Sequence, residues 1–336
     1  MSAPPDPWQV LDPGEWPARL VTDGPLLALD LPRGRVAVRL RGLNRSGYQH
    51  KLSLAEAGLP APEEEFQAWR QLWNCQALRL PLALDALLES EDYRAGLRRL
   101  VDAAEQAGLF LLLELHGLTS DLERALPPLP EALEGWRLLA AEHGARAHVV
   151  FDLWNEPHDV AWDEWQPLAQ ALVEAVRAGG AERTLVLVGG LDWAFDLSPL
   201  ERPEARLDGL GGPLAYAAHV YPWKGGFLLR RRAWQRAFAG VACELPVLVT
   251  ELGVETWPRP RGLPRSWARA WLRDLLAFLD ERGLSGLAWS AGDQPHLVHG
   301  GGGQDVCLPD CPPDPAQPTE PGALVRHWLR RGGSTA

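Results

Sequence analysis

From Gly42 to the C-terminal end the chain alternates short apolar runs with helical patterns, at a repeat of roughly 35 residues. The first run closes near Gly42-Leu43-Asn44. The others are 76–80, 110–115, 149–154, 184–188, 214–220, 246–250 and 286–289. These runs are continuous rather than alternating, as expected of parallel strands covered on both faces. Helical patterns fall at 63–73, 93–107, 133–142, 162–178, 231–239, 266–281 and 322–329. Gly108 follows the second of them as a C-terminal stop. Eight such strand units in order predict a closed α/β barrel, a TIM (β/α)8 fold. A doubly wound open sheet rarely needs so many.

The 336 residues fit one barrel domain, with no linker dividing them. Before the barrel, 20–31 and 35–43 flank Pro32-Arg33-Gly34 and predict a short N-terminal β-hairpin, with 1–34 as an extension. The run Gly300 to Gly303 and the Pro-rich stretch after it read as one long loop, 290–320.

The net charge of −11 argues against a nucleic-acid partner, because phosphate contacts need a basic surface. It fits a neutral substrate. No segment is long and apolar enough to predict a membrane span, so no membrane partner is expected. Residues 1–20 lack a basic start followed by an apolar run, so the chain reads as cytoplasmic as it stands, or as secreted where a leader precedes it. Isoleucine is absent, and Lys51 and Lys224 are the only lysines beside many arginines. That pattern reads as GC-rich coding rather than thermophily, whose broad signal is Lys and Glu enrichment.

Two of the strands end in a glutamate. Val149-Val150-Phe151-Asp152-Leu153-Trp154 runs into Asn155-Glu156-Pro157, and Pro246-Val247-Leu248-Val249-Thr250 runs into Glu251. A carboxylate at the tip of a buried strand is costly unless it has a task there. Two of them at the same end of parallel strands suit the two-carboxylate chemistry of glycoside hydrolysis. Barrel active sites gather at that end. The polar residues there are Arg79, His116, Asn155, Glu156, His219, Tyr221 and Glu251, with Trp289.

This set resembles glycoside hydrolase family five, the cellulase A type of retaining barrel glycosidases. The matching pieces are Arg79-Leu80-Pro81, His116-Gly117, Asn155-Glu156-Pro157-His158, His219-Val220-Tyr221, Thr250-Glu251-Leu252-Gly253 and Trp289. They occur in the family's order from Arg41 to Ser290. The resemblance implies Glu156 as general acid/base and Glu251 as nucleophile of a double displacement. It implies Arg79 and Tyr221 as partners of Glu251, and Asn155 on the sugar 2-hydroxyl. His116 and His219 would complete the hydrogen-bond shell, and Trp289 would floor the −1 subsite. No metal or cofactor is implied. The start Arg41 to Tyr48 looks most like the endoglucanase members, so a retaining endo-β-1,4-glucanase is expected, acting as a monomer on β-glucan oligo- or polysaccharide. A β-mannanase is the alternative within the family, and a sugar-binding barrel the non-enzymatic one.

Other residues divide between packing and function. Most of the sixteen tryptophans are expected in the core. Trp154 should pack away from the site, whereas Trp193 and Trp223, on loops, suit either sugar stacking or packing. Asp293 and Gln294 follow the eighth strand within reach of a subsite. Glu244 and Glu255 compete with Glu251 for the catalytic assignment. His143, His148, His299 and His327 match nothing and read as surface or structural. Cys75 and Cys243 lie in apolar segments and read as buried thiols. Cys307 and Cys311 suit either a small loop disulfide or two free thiols.

Overall fold

The computed structural model describes residues 3–50, 53–224, 229–256, 263–300 and 312–331. Eight parallel strands close into a barrel: β4 (Arg41–Asn44), β5 (Ala77–Ala83), β6 (Phe110–Gly117), β7 (Val149–Asp152), β8 (Val186–Gly189), β9 (Leu214–Val220), β10 (Val247–Leu252) and β11 (Ser285–Ala288). Before them come β1 (Arg19–Asp23), β2 (Leu26–Leu31) and β3 (Gly34–Ala37), and after them a β12 (Val298–Gly300) and β13 (Pro313–Pro318) pair. The helices are α1 (Pro62–Trp73), α2 (Leu84–Glu89), α3 (Glu91–Ala107), α4 (Leu129–His143), α5 (Trp162–Ala178), the single turn α6 (Leu191–Ala194), α7 (Arg230–Trp234), α8 (Arg265–Arg282) and α9 (Glu320–Arg331). No described helix is long and apolar enough to cross a membrane.

Local chemistry explains the boundaries. Ser90 caps α3 by accepting from the Tyr93 amide at 3.1 Å, and Gly108 ends it at φ +71°. Gly42 allows β4 to approach β5. A Cβ there would lie 1.9 Å from the Ala77 carbonyl oxygen. The indoles pack with their N–H satisfied. Trp136 donates to the Leu153 carbonyl at 3.1 Å and Trp165 to that of Gly189 at 2.9 Å.

Side chains of the barrel strands divide between two cores. Outward residues such as Leu78, Leu80, Phe151 and Val188 pack under the helices. Inward residues Ala77, Phe110, Leu112, Val150, Leu187, Ala217, Leu248 and Leu287 fill the lower lumen, where they meet Leu20, Leu27, Leu29 and Leu31. The N-terminal sheet therefore plugs the bottom of the barrel, leaving the top for the site.

Several expectations are revised. The expected hairpin is present between β2 and β3, but the run 20–31 breaks at Gly24, and β1 folds back on β2 to make three strands. Between β8 and β9 there is no full helix, only the turn α6 and two short 3-10 turns. The second half of the expected helix 231–239 is a π-helical turn, Gln235–Ala239. The loop 290–320 carries the antiparallel β12–β13 ribbon. Cys75 is buried as expected, but Cys243 is exposed, because it ends the 3-10 turn Val241–Cys243 rather than lying on an inward strand or helix face. Cys307 and Cys311 lie outside the described residues.

Candidate active site

The upper lumen is polar. On β6 the inward positions run Phe110, Leu112, Glu114, His116, and on β7 Val150 is followed by Asp152. Alternation with period two carries each strand from an apolar lower layer to a polar upper one. Strand β10 departs from it. Leu248 faces the lumen, and strict alternation would turn Glu251 toward the helices. A register shift between Val249 and Glu251 resets the strand, so Leu252 packs outward and Glu251 turns in.

Arg79, fully buried on β5, is the hub. Its Nη1 donates to Glu251 Oε1 at 2.7 Å and to Asn44 Oδ1 at 3.1 Å. Nε donates to Asp152 Oδ2 at 2.8 Å, and Nη2 donates to Asn155 Oδ1 at 3.1 Å. Glu114 Oε2 lies 3.5 Å from Nη2. The Tyr221 hydroxyl donates to Glu251 Oε2 at 2.7 Å. The planar fork of Arg79 and one phenol thus hold both oxygens of this carboxylate.

Glu156 is set differently. Its Oε1 lies 2.8 Å from His219 Nδ1, which is 3.6 Å from Glu251 Oε2. Burial pushes the Glu156 carboxyl up to about 7, against the opposing charges of His116, Arg79 and Lys224. Burial also lowers His219, to about 4, so this imidazole is neutral at neutral pH. Asp152 is raised to about 7 by burial, partly offset by Arg79. One donor atom from each of Glu156, His219 and Glu251 lies within 4.8 Å of the others. We assign no metal ligand among them, since Arg79 and Tyr221 engage Glu251, and His219 engages Glu156.

All eight residues singled out from the sequence stand at this end of the barrel. Except for Arg79, buried beneath, they line a cleft of about 560 Å³, a size typical of ligand sites. Trp289 stacks on His116, with ring centroids 5.6 Å apart and planes at 15°. Trp193 and Trp223 both reach the cleft. Trp193 stacks on His158 at 4.5 Å with Lys224 Nζ 4.0 Å from its ring, and Trp223 stacks on Tyr221 at 4.6 Å. Asp192, the neighbour of Trp193 in the chain, accepts from Lys224 Nζ at 2.6 Å and so holds that cation over the indole. Asp293 and Gln294 also line the cleft, and Asp293 accepts from Gln49 at 2.8 Å with His50 at 2.9 Å. Glu255 is at the rim, whereas Glu244 is exposed and pairs with Arg206. Trp154 packs away from the site, its N–H donated to the Arg124 carbonyl at 3.1 Å. His148 is a buried structural residue 3.1 Å from the Val101 carbonyl, and His327 is exposed.

Sequence reasoning passed over Asn44, Glu114 and Asp152. The available signal was a lone polar residue inside an otherwise apolar inward run, which a buried strand carries only with partners.

Known proteins similar to this chain share its family and fold. The model of the cellulase family, glycosyl hydrolase family 5, matches residues 37–295. Endoglucanase Z of Dickeya dadantii is 24% identical over 244 residues, covering 72% of this chain and 52% of that protein. Endoglucanase MaCel5A of a Microbulbifer species is 27% identical over 269 residues, covering 77% and 48%. The chain thus spans about half the length of these relatives. A β-glucanase of Saccharophagus degradans, also solved in complex with cellotetraose, superposes with a TM-score of 0.77 at 20% identity, over 98% of this chain and 100% of that one. With the family model covering most of the barrel, the chain belongs to the cellulase family, glycosyl hydrolase family 5.

Proposed function

We propose that this chain is a retaining endo-β-1,4-glucanase acting on β-glucan oligo- or polysaccharide. The observation that carries the reading is the pair of glutamates in unlike settings. Glu251 is held at both oxygens by Arg79 and Tyr221, while Glu156 is desolvated and kept protonated toward neutral pH. Their nearest oxygens lie within 4.8 Å, short of the ~6.5–9.5 Å that leaves room for an inverting water.

The protonated Glu156 gives its proton to the glycosidic oxygen as that oxygen's bond to the anomeric carbon breaks. A Glu251 oxygen forms a bond to the same carbon from the opposite face. The leaving sugar departs with a free hydroxyl. Water then attacks from the side it vacated, Glu156 takes the water's proton, and the bond to Glu251 breaks. Both carboxyls return to their starting states and the product keeps the β-configuration. Arg79 holds the Asn155 carbonyl, which leaves the amide NH2 for the sugar 2-hydroxyl. Trp289 floors the reacting sugar, and Trp193 and Trp223 offer further stacking faces along the cleft. The relatives support the substrate class: two are endoglucanases, and a structural neighbour is solved with cellotetraose.

The test is reducing-sugar release from carboxymethyl cellulose, barley β-glucan, mannan and laminarin in parallel, with proton NMR of the first product. Release from the first two with an initial β-anomer is expected. Preference for mannan would favour a β-mannanase, an initial α-anomer would exclude retention, and binding without release would mark a sugar-binding barrel.

A further inference from the structure

Glu114 is a fully buried acid that the reaction above does not use. It stands on β6 two residues before His116, on the same inward face, and in register with Asp152 on β7. Its Oε2 lies 3.0 Å from His116 Nδ1, and its Oε1 has no hydrogen-bond partner among the described residues. Arg79 is farther, at 3.5 Å: four of its five N–H groups go to Asp152, Glu251, Asn44 and Asn155, and the second N–H of Nη2 is left for this longer ion pair. One guanidinium faces three buried carboxylates, and ionised groups in such a site need nearby opposite charge. Asp152 meets this need with the 2.8 Å bond from Arg79 Nε, and burial raises its carboxyl to about 7. Glu114 meets Arg79 only in that longer ion pair, and among the described residues the His116 imidazole is its one side-chain hydrogen-bond partner.

We infer that Glu114 is a positioning residue: it accepts the Nδ1–H of His116, turns Nε2 of that ring to the cleft and favours the protonated ring beside Glu156. This rests on the reading of Glu156 as the acid. The other groups acting on the His116 ring are Arg79 from β5, Glu251 from β10, His219 from β9, Glu156 from the loop after β7, and Asp293 beyond β11. Trp289, stacked on the ring, is neutral. Burial and the Arg79 charge lower the His116 pKa, but the charge and hydrogen bond of Glu114, with a smaller contribution from Glu251, outweigh them and the net direction is up. His116 in turn is the foremost charge opposing the rise of Glu156.

Two readouts test this. In uniformly nitrogen-15-labelled wild-type protein, long-range nitrogen–proton NMR reports the His116 tautomer and titration, with the signal assigned by its loss in His116→Gln. We expect a neutral form protonated at Nδ1 and a midpoint above the ordinary value of about 6.5. A neutral form protonated at Nε2, or a midpoint at or below that value, overturns the assignment, whichever glycan is cleaved. The second readout is Glu114→Gln, which keeps the shape and removes the charge. His116 should then titrate at least about tenfold more weakly in proton affinity. Glu156 loses its cationic neighbour, so the alkaline limb of kcat/KM should move up by about 0.5 unit. If Glu114 only packs against Arg79, the loss of a negative charge leaves that limb unmoved or moves it down. Should Glu114→Gln fail to fold, the wild-type tautomer still decides.

Discussion

The Tyr221 hydroxyl donates to Glu251 Oε2 across 2.7 Å, while Trp223 lies parallel to the Tyr221 ring at 4.6 Å. The stacking fixes the phenol independently of its hydroxyl, so Tyr221→Phe should keep the ring in place and remove one charge-assisted hydrogen bond. Such bonds contribute ~1.5–3 kcal/mol. We expect kcat to fall about 10- to 100-fold, with the melting temperature lowered by no more than several degrees. A kcat within about twofold of wild type would leave the hydroxyl without a catalytic part.

Glu156→Ala should slow cleavage of unactivated glucan by about 10²-fold or more, because no acid then protonates the leaving oxygen. A nitrophenyl glycoside needs little protonation, so its first step should survive. Azide should restore turnover and give a β-azide product. Absence of rescue with every activated substrate would point to another acid.

The raised Glu156 carboxyl also predicts a stability effect. Its folded pKa, about 7, lies above the ordinary 4.5, so the folded protein binds more protons between those values. This group's contribution is fully present below about pH 4.5 and is lost as pH rises toward 7. Glu156→Gln removes the penalty, so its melting temperature should exceed that of wild type by a few degrees above pH 7. The two should converge near pH 4. Equal melting temperatures at pH 8 would mean that Glu156 is not desolvated as described.

Arg79→Lys should damage more than turnover. A lysine makes one or two of these contacts and leaves the remainder of Glu251, Asp152, Asn44 and Asn155 short of a donor. Breaking buried pairs of this kind costs ~3–5 kcal/mol. We expect a large fall in kcat together with a lowered denaturant midpoint. Wild-type stability with lost activity would confine Arg79 to the chemistry, and loss of neither would remove it from the site.

Much of the site was legible because polar residues ending apolar strands are conspicuous. Glu156 and Glu251 stand out against the runs before them, and the barrel repeat brings their ends together. Glu114 and Asp152 were harder to read, since each lies inside a run whose other members are apolar, and only their shared position below Arg79 gives them a purpose. Trp193 and Trp223 were undecided between packing and stacking. The fold leaves both exposed on the cleft, with Trp193 stacked on His158 and Trp223 on Tyr221.

Sequence alone determined the number and order of the barrel strands, because continuous apolar runs and helical periodicity are local properties of the chain. It also determined which residue types reach the strand ends. Tertiary structure decided which way those side chains turn. The inward turn of Glu251 depends on the register shift in β10, and its partners come from β5 and the end of β9, distant in sequence. The proton on Glu156 was decided there too. A carboxyl's pKa depends on how much water and which charges surround it, and these are supplied by strands that meet only when the barrel closes.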